Sequence, residues 1–242
     1  MTGSVGPAAA WVADYADVTA ACTAFVGSHF ALSHPYRRRL VQQLGSAGFL
    51  GVYSLVAAAT LVWIALAYRA APSQPLLWEP GDAIWAVGTV VMLVASILLM
   101  GSLIGNPALP DPTGRARPVP VAQGVFAVTR HPMMWAFALW AAAHILVFPD
   151  IANIIVALSI AVLALAGAHL QDRKKAQLEP RIWPEWERRT SYLPFVAIAK
   201  GRARFGGFRP HDLAGGVVIW LAATWAHLPL AGWSAGVWRW VG

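Results

Sequence analysis

Six apolar segments, separated by short polar stretches, decide which folds this chain can adopt. They cover approximately residues 18–34, 49–68, 84–104, 132–148, 151–170 and 213–230. The hydrocarbon core of a bilayer is about 30 Å thick, which a helix of about 20 residues crosses. In lipid every backbone polar group needs a partner within its own segment, so an open chain spans as helices. The pattern predicts an all-α, polytopic membrane helix bundle of about six transmembrane helices, forming one membrane domain over residues 1–242.

The composition supports this interpretation. Hydrophobic residues make up 58% of the chain and charged residues 12%, whereas soluble domains have about 45–50% and about 25%. The net charge of +7 comes largely from one stretch, residues 171–210, which also carries aromatic side chains. Stacking on nucleic acid bases is one explanation, but a cytoplasmic amphipathic segment on anionic lipid is the commoner one. We therefore expect membrane lipids as partners, and no nucleic acid.

The distribution of positive charge predicts the orientation in the membrane. Sixteen of the 18 Lys and Arg residues fall in alternate connections, and only Arg69 and Arg239 fall on the other side. The positive-inside rule places the sixteen in the cytoplasm and both termini outside it. Cys22 is the single cysteine, which excludes an intrachain disulfide and a metal site built of cysteines alone.

Three of the seven histidines lie deep within apolar segments. His29 is eight residues before Arg37, about 12 Å along a helix, and His144 is thirteen residues after His131, about 20 Å along its neighbour. Two imidazoles from different helices at similar depth can hold haem iron from its two faces. His227 lies nearer the outer face and is the less favoured partner. The spacing predicts His29 and His144 as metal ligands.

The helical surface around His144 is compatible with a bulky cofactor. Trp140 and Ala141 lie four and three residues before it, on the same stripe of the helix. The small side chain of Ala141 leaves room beside the helix, so Trp140 and Ala141 are candidate cofactor-binding residues. The alternative is that intramembrane histidines form hydrogen bonds between helices, and that alanines allow close helix packing.

Three stretches of the chain carry a family resemblance. They are "GSHFALSHPYRRRLVQQLGSAGFLGVYSLVAAATLVWI", "VTRHPMMWAFALWAAAHIL" and "DRKKAQLEPRIWPEWERRTSYLPFVAI". Together they resemble the NnrU family of bacterial membrane proteins, over about residues 25–200. The most specific part is an Arg-His-Pro followed by an apolar helix that ends in Trp-x-x-x-His. The resemblance implies a multi-pass protein of the bacterial inner membrane, associated with denitrification and nitric oxide.

The same resemblance implies a cofactor. Plant and cyanobacterial relatives isomerise 15-cis-ζ-carotene and are understood to carry haem b on histidines that match His29 and His144. On reduction those isomerases replace one histidine by a cysteine three residues before the second histidine. Ala141 occupies that position here, so the ligand exchange does not carry over. Isomerisation of a lipophilic polyene, other redox chemistry and binding of nitric oxide all stay open, and so does the question of whether the chain is an enzyme.

A second resemblance points to a different reaction. The Arg130–His131–Pro132 sequence is similar to one found at a cytoplasmic helix mouth in integral membrane methyltransferases that use S-adenosylmethionine. There, an imidazole and a guanidinium hold the carboxylate and sugar of the cofactor. The following charged stretch, "QDRKKAQLEPRI", lacks the pair of glutamates found in those enzymes. A methyltransferase is therefore the alternative function.

The predicted orientation can be tested with reporter fusions. A reporter active only in the cytoplasm should be active after Ala199 and inactive at Gly242, because the last apolar segment lies between them. The measurement is reporter activity normalised to fusion abundance. Equal activity at both sites would mean that this segment does not cross the membrane.

Overall fold

The computed structural model describes residues 13–109 and 118–241. Within these ranges the chain is helical and contains no strand. The helices are α1 (Ala16–Ser33), α2 (Arg37–Ala70), α3 (Asp82–Gly101), α4 (Val125–Val128), α5 (Pro132–Val147), α6 (Ile151–Leu178), α7 (Trp183–Arg189), α8 (Val196–Ala199), α9 (Pro210–Ala231) and α10 (Trp238–Val241).

Four of these helices, α2, α3, α6 and α9, are long and apolar enough to cross a membrane. Helix α5 is equally apolar but has 16 residues, because Pro132 is its first residue and Pro149 follows its end. Proline is tolerated in the first turn of a helix and unfavourable in its interior. The prediction of an all-helical, multi-pass membrane protein is confirmed. The count of six spans and the placement of the termini stay predictions.

The chain folds as two compact units. Unit 1 contains residues 1–79 and 148–163, and unit 2 contains residues 80–147 and 164–242. In unit 1, α1 packs against α2. The buried core of this unit is formed by Tyr15, Val18, Ala21, Cys22, Ile64, Ala67 and Ala152.

In unit 2, α3 packs against both α5 and α9. Glycines allow the helices to approach closely. A Cβ atom on Gly88 would lie 2.6 Å from the Val147 side chain, and one on Gly216 would lie 2.7 Å from the Cα atom of Ile97. Without a hydrophobic driving force between helices in lipid, such close backbone packing is a main source of helix association.

The basic segment before α9 differs from the sequence expectation in one respect. Its first eight residues continue α6 to Leu178, and two of its aromatic residues, Trp183 and Trp186, are fully buried. The Trp186 ring meets the Phe126 ring edge-on at 5.8 Å, and the Lys175 ammonium lies 5.9 Å from the Trp183 ring centre. These tryptophans therefore form part of the core of unit 2. Hydrophobic residues of the segment that stay exposed include Leu193 and Phe195.

Close helix contact at Gly216 leads to a stability prediction. In Gly216→Ala the new methyl group would meet the backbone of Ile97, so α3 and α9 must separate. Overpacking of this kind costs about 1–3 kcal/mol, and we expect a lower melting temperature in detergent. Gly51→Ala is the matched control, because no atom lies within 4 Å of its added Cβ and alanine favours a helix. Equal melting temperatures for the two variants would contradict the proposed contact.

Candidate functional site

The three deep histidines share one hydrogen-bonding arrangement. In each, Nδ1 lies close to the carbonyl oxygen four residues earlier: 2.7 Å for His29 to Phe25, 2.8 Å for His144 to Trp140, and 2.8 Å for His227 to Ala223. A carbonyl oxygen only accepts hydrogen bonds, so in the neutral ring Nδ1 carries the hydrogen and Nε2 carries the lone pair. This tautomer is the one that coordinates a metal through Nε2.

In unit 1, aromatic rings surround His29. Its ring centre lies 4.3 Å from that of Phe25 and 5.3 Å from that of Tyr53, which meets it edge-on. Tyr53 is in turn 6.0 Å from Phe49. The imidazole is half-buried, and its orientation is fixed by the helix carbonyl and by two neighbouring rings.

In unit 2, His144 belongs to a continuous row of aromatic rings. Trp140 stacks on it with ring centres 4.0 Å apart and a tilt of 30°. On the other side, His227 lies 6.3 Å away with a tilt of 33°. The row continues from His227 to Trp233 at 5.4 Å and from Trp233 to Trp85 at 5.4 Å. Helices α3, α5 and α9 and the segment after α9 thus each contribute a ring.

This row lines a cavity of about 180 Å³. None of the described residues that line it carries a carboxylate, an ammonium or a guanidinium. Two of the lining residues, Thr89 and Trp220, each carry a side-chain polar atom that is shielded from solvent and has no hydrogen-bond partner among the residues the structure describes. The other lining residues are Trp85, Gly88, Met92, Ser96, Leu99, Trp140, Ala143, His144, Val147, Ile219, Ala223, Thr224, His227, Trp233, Ala235 and Gly236.

The four site residues predicted from the sequence do not all lie at the cavity. Trp140 and His144 line the cavity together, whereas Ala141 is buried but does not line it. His29 belongs to unit 1, and its pairing with His144 stays a prediction. His227, the less favoured ligand on depth alone, lies beside His144. Depth along a helix cannot show its proximity to His144, because the offset between the starts of α5 and α9 is set by packing.

A buried ionic cluster fixes the start of α5. The Asp172 carboxylate accepts hydrogen bonds from Nε of Arg130 at 2.9 Å, and its Oδ1 lies 2.7 Å from Nε2 of His131. The Arg130 backbone N–H donates to the Ser191 carbonyl at 2.9 Å, and the Thr129 hydroxyl donates to the Tyr192 carbonyl at 2.7 Å. The cluster therefore connects the start of α5 to α6 and to the connection between α7 and α8.

Tyr192 completes the surroundings of this cluster. Its hydroxyl donates to the Leu165 carbonyl at 2.7 Å, and its ring lies 5.7 Å from that of His131. Burial raises the pKa of the Tyr192 hydroxyl, and the Asp172 carboxylate raises it further. In a methyltransferase the groups of Arg130 and His131 would face a cofactor. Here both are engaged by a carboxylate of the chain itself, so the arrangement does not favour that alternative.

Two further histidines lie outside the ionic cluster and away from the three deep histidines. His169 is exposed, and His211 lies 3.1 Å from Asp212 at the start of α9. Within residues 13–109 and 118–241, no three or more His, Cys, Asp and Glu side chains come together as a metal site. A closed site of the structural zinc type needs four ligands, but axial ligation of haem requires only one or two histidines.

The chain was compared with models of known protein families. The family model described as NnrU protein matches residues 18–235, which is most of the sequence. The chain belongs to the NnrU family. Comparisons with curated proteins and with solved structures found no match. The NnrU match covers most of each unit and includes all three deep histidines.

Removal of the Asp172 carboxylate tests the ionic cluster. Asp172→Ala leaves the buried His131 and the half-buried Arg130 without their shared acceptor, and breaking a buried ion pair costs about 3–5 kcal/mol. We expect a large fall in melting temperature and lower yield from the membrane. Glu185→Ala is the control, since Glu185 pairs with the exposed side chains of Arg188 and Arg189. Such pairs contribute about 0–1 kcal/mol. Equal effects of the two variants would contradict a structural role for the cluster.

Proposed function

We propose that this NnrU protein binds haem b in the bacterial inner membrane, with His29 and His144 as its iron ligands. The observation that carries the proposal is the tautomer that the deep histidines share. A hydrogen bond from Nδ1–H to a carbonyl fixes the ring and increases the basicity of Nε2. The resemblance of the chain to haem-binding relatives of its family supports the same two residues.

The donor chemistry fits haem iron. Both candidate ligands are imidazoles set in apolar helices, where neutral nitrogen donors are less costly than charged groups. The cavity beside His144 has about 180 Å³, whereas sites for drug-sized ligands have about 300–1,000 Å³. A macrocycle on His144 would therefore extend beyond that cavity.

Haem, when bound, would supply one-electron chemistry and a place for a small ligand such as nitric oxide. The residues of the chain would set its properties. Trp140 stacks on His144 at 4.0 Å, and Phe25 and Tyr53 enclose His29, so neither ring can rotate without losing contacts. His29 and His144 would hold the iron, and the contacts that fix their rings would oppose the release of either imidazole.

The chemistry proposed for this iron concerns nitrogen oxides or a lipophilic polyene. Both substrate classes are compatible with a site within apolar helices. Ala141 lies where the carotenoid isomerases have a cysteine ligand, so a cysteine-dependent redox switch is excluded at this position. Redox or small-ligand chemistry is therefore the form of the proposal that we favour.

An absorption spectrum of the detergent-purified protein tests the proposal. We expect a Soret band and the reduced bands of a low-spin b-type haem. His29→Ala and His144→Ala should each lower the haem content or give a high-spin spectrum, because one axial nitrogen is lost. His34→Ala and His211→Ala should leave the spectrum unchanged, and circular dichroism should show equal helicity in all variants.

Two results would contradict the proposal. Colourless protein that cannot be reconstituted with haemin would exclude haem binding. Loss of haem in His227→Ala, with haem retained in His29→Ala, would assign the second ligand to His227 in place of His29.

A further inference from the structure

The connection between α7 and α8 exposes two large apolar side chains. Leu193 is 53% exposed and Phe195 is 57% exposed, whereas Trp183 and Trp186, earlier in the same basic segment, are fully buried. Single exposed apolar residues are common on protein surfaces. Leu193 and Phe195 differ from such residues in three respects: the backbone at Phe195, the depth of the connection and the charge beside it.

Phe195 has an unfavourable backbone conformation. Its φ is 65°, and among the described residues it is the only non-glycine residue with a positive φ. Bulky L-residues rarely adopt this left-handed conformation. Two hydrogen bonds hold it, because the Phe195 N–H donates to the Val128 carbonyl at 2.8 Å and the Phe195 carbonyl accepts from the Ala199 N–H at 2.9 Å. Since the side chain stays largely exposed, packing within the chain does not explain why an aromatic residue is placed there.

Hydrogen bonds locate this connection at the ends of two apolar helices. The Tyr192 hydroxyl donates to the Leu165 carbonyl at 2.7 Å, and the Trp135 indole N–H donates to the Tyr192 carbonyl at 2.9 Å. Trp135 belongs to the first turn of α5, and Leu165 lies about 8 Å before Leu170, where the apolar part of α6 ends. The connection therefore lies where hydrocarbon meets headgroups, on the side that the positive-inside rule assigns to the cytoplasm.

The chain around this connection carries positive charge without acidic residues. Residues 188–211 contain six Lys and Arg residues and no Asp or Glu. Four of the six bond to carboxylates or carbonyls of the chain: Arg188, Arg189, Arg202 and Arg209. The other two, Lys200 and Arg204, are exposed. No ion pair within residues 13–109 and 118–241 includes either of them.

Helix α8 brings these cations close to Phe195. Lys200 follows directly after α8, and its N–H donates to the Val196 carbonyl at 3.1 Å. The Ala203 N–H donates to the Ala197 carbonyl at 3.2 Å, so residues 200–204 fold back on the same short helix. The two cations therefore lie beside the helix that Phe195 begins.

We propose that Leu193, Phe195, Lys200 and Arg204 form a binding site for an anionic phospholipid of the cytoplasmic leaflet. The two apolar side chains lie among the acyl chains, and the two cations bind the phosphate. The proposal goes beyond haem binding, does not require it and uses none of the residues assigned to the haem.

The combination of apolar and basic groups favours a phospholipid over a water-soluble partner. Anionic headgroups of the cytoplasmic leaflet attract basic segments. Long Lys and Arg side chains reach these headgroups while their stems stay in apolar surroundings. An acidic peptide or a nucleic acid would meet Lys200 and Arg204 but could not reach side chains at the level of the hydrocarbon.

The depth of Phe195 is tested with a fluorophore on a single cysteine. The label is attached to Phe195→Cys in a Cys22→Ala background, and the protein is placed in liposomes of phosphatidylcholine and phosphatidylglycerol. We expect quenching by lipids brominated on their acyl chains and protection from iodide in the water. The matched control is Arg188→Cys in the same background, because the Arg188 side chain is 76% exposed on α7 and its label should be quenched by iodide.

The cations are tested by native mass spectrometry of the detergent-purified full-length protein titrated with phosphatidylglycerol or phosphatidylcholine. We expect the wild type to bind phosphatidylglycerol more tightly. Lys200→Gln and Arg204→Gln should each weaken phosphatidylglycerol binding about fivefold and leave phosphatidylcholine binding unchanged. Lys200→Arg and Arg204→Lys keep the charge and are the matched controls, with affinity close to that of the wild type.

Phe195→Asn separates lipid contact from a structural role. Asparagine tolerates the left-handed conformation better than phenylalanine, so the melting temperature in detergent should stay equal or rise. Phosphatidylglycerol should raise the melting temperature of the wild type, because a ligand of the folded state stabilises it, and should raise that of Phe195→Asn less. A lower melting temperature of Phe195→Asn in detergent would show that the ring packs within the protein, and would overturn its role in lipid binding.

Two further results would overturn the proposal. One is equal affinity of the wild type for the two lipids, and the other is quenching of the Phe195→Cys label by iodide alone. Tight binding of an RNA oligonucleotide that Lys200→Gln weakens, without a preference for phosphatidylglycerol, would assign the cations to nucleic acid. The absorption spectrum of each sample is recorded separately, so failure of lipid binding and failure of haem binding are distinct results.

Discussion

The structure depends on how polar side chains are accommodated within apolar helices. In α1, α2, α5, α6 and α9, hydroxyl and imidazole groups bond to the carbonyl oxygen one turn earlier in the same helix. The pairs with four-residue spacing are Thr23–Thr19, His29–Phe25, Thr60–Val56, His144–Trp140, Ser159–Ile155, Thr224–Trp220 and His227–Ala223. A local partner removes most of the cost of placing a polar group in an apolar environment. For the imidazoles it also determines which nitrogen is available for chemistry.

Sequence periodicity and length predicted the helices well because both are local properties. The spans at 84–104 and 151–170 coincide with α3 and the larger part of α6, and the depth of His144 within α5 follows from counting residues. The contact between His144 and His227 could not be predicted, because it depends on how α5 and α9 are offset. The burial of Trp183 and Trp186 could not be predicted either. A basic segment rich in aromatic residues can lie on a lipid surface or pack into a protein core, and its composition does not distinguish the two.

The acidic partner of Arg130 and His131 illustrates a second limit of sequence reasoning. Asp172 is 42 residues from Arg130 and is followed by Arg173, Lys174 and Lys175, so the sequence alone indicates a local charge cluster. Only the folded chain brings its carboxylate to the start of α5. The Arg-His-Pro sequence thus serves here to position a helix.

The connections around Thr129 have a consequence for biosynthesis. The Arg130 N–H and the Thr129 hydroxyl bond to the carbonyls of Ser191 and Tyr192, and the Phe195 N–H donates to the Val128 carbonyl at 2.8 Å. These partners leave the ribosome about 60 residues after α5 begins. During translation, α5 is therefore made before residues 191–195, which supply the backbone partners of the residues just before it. These bonds can form only after residue 195 has been made, and truncation before residue 191 removes them while leaving Asp172 in place.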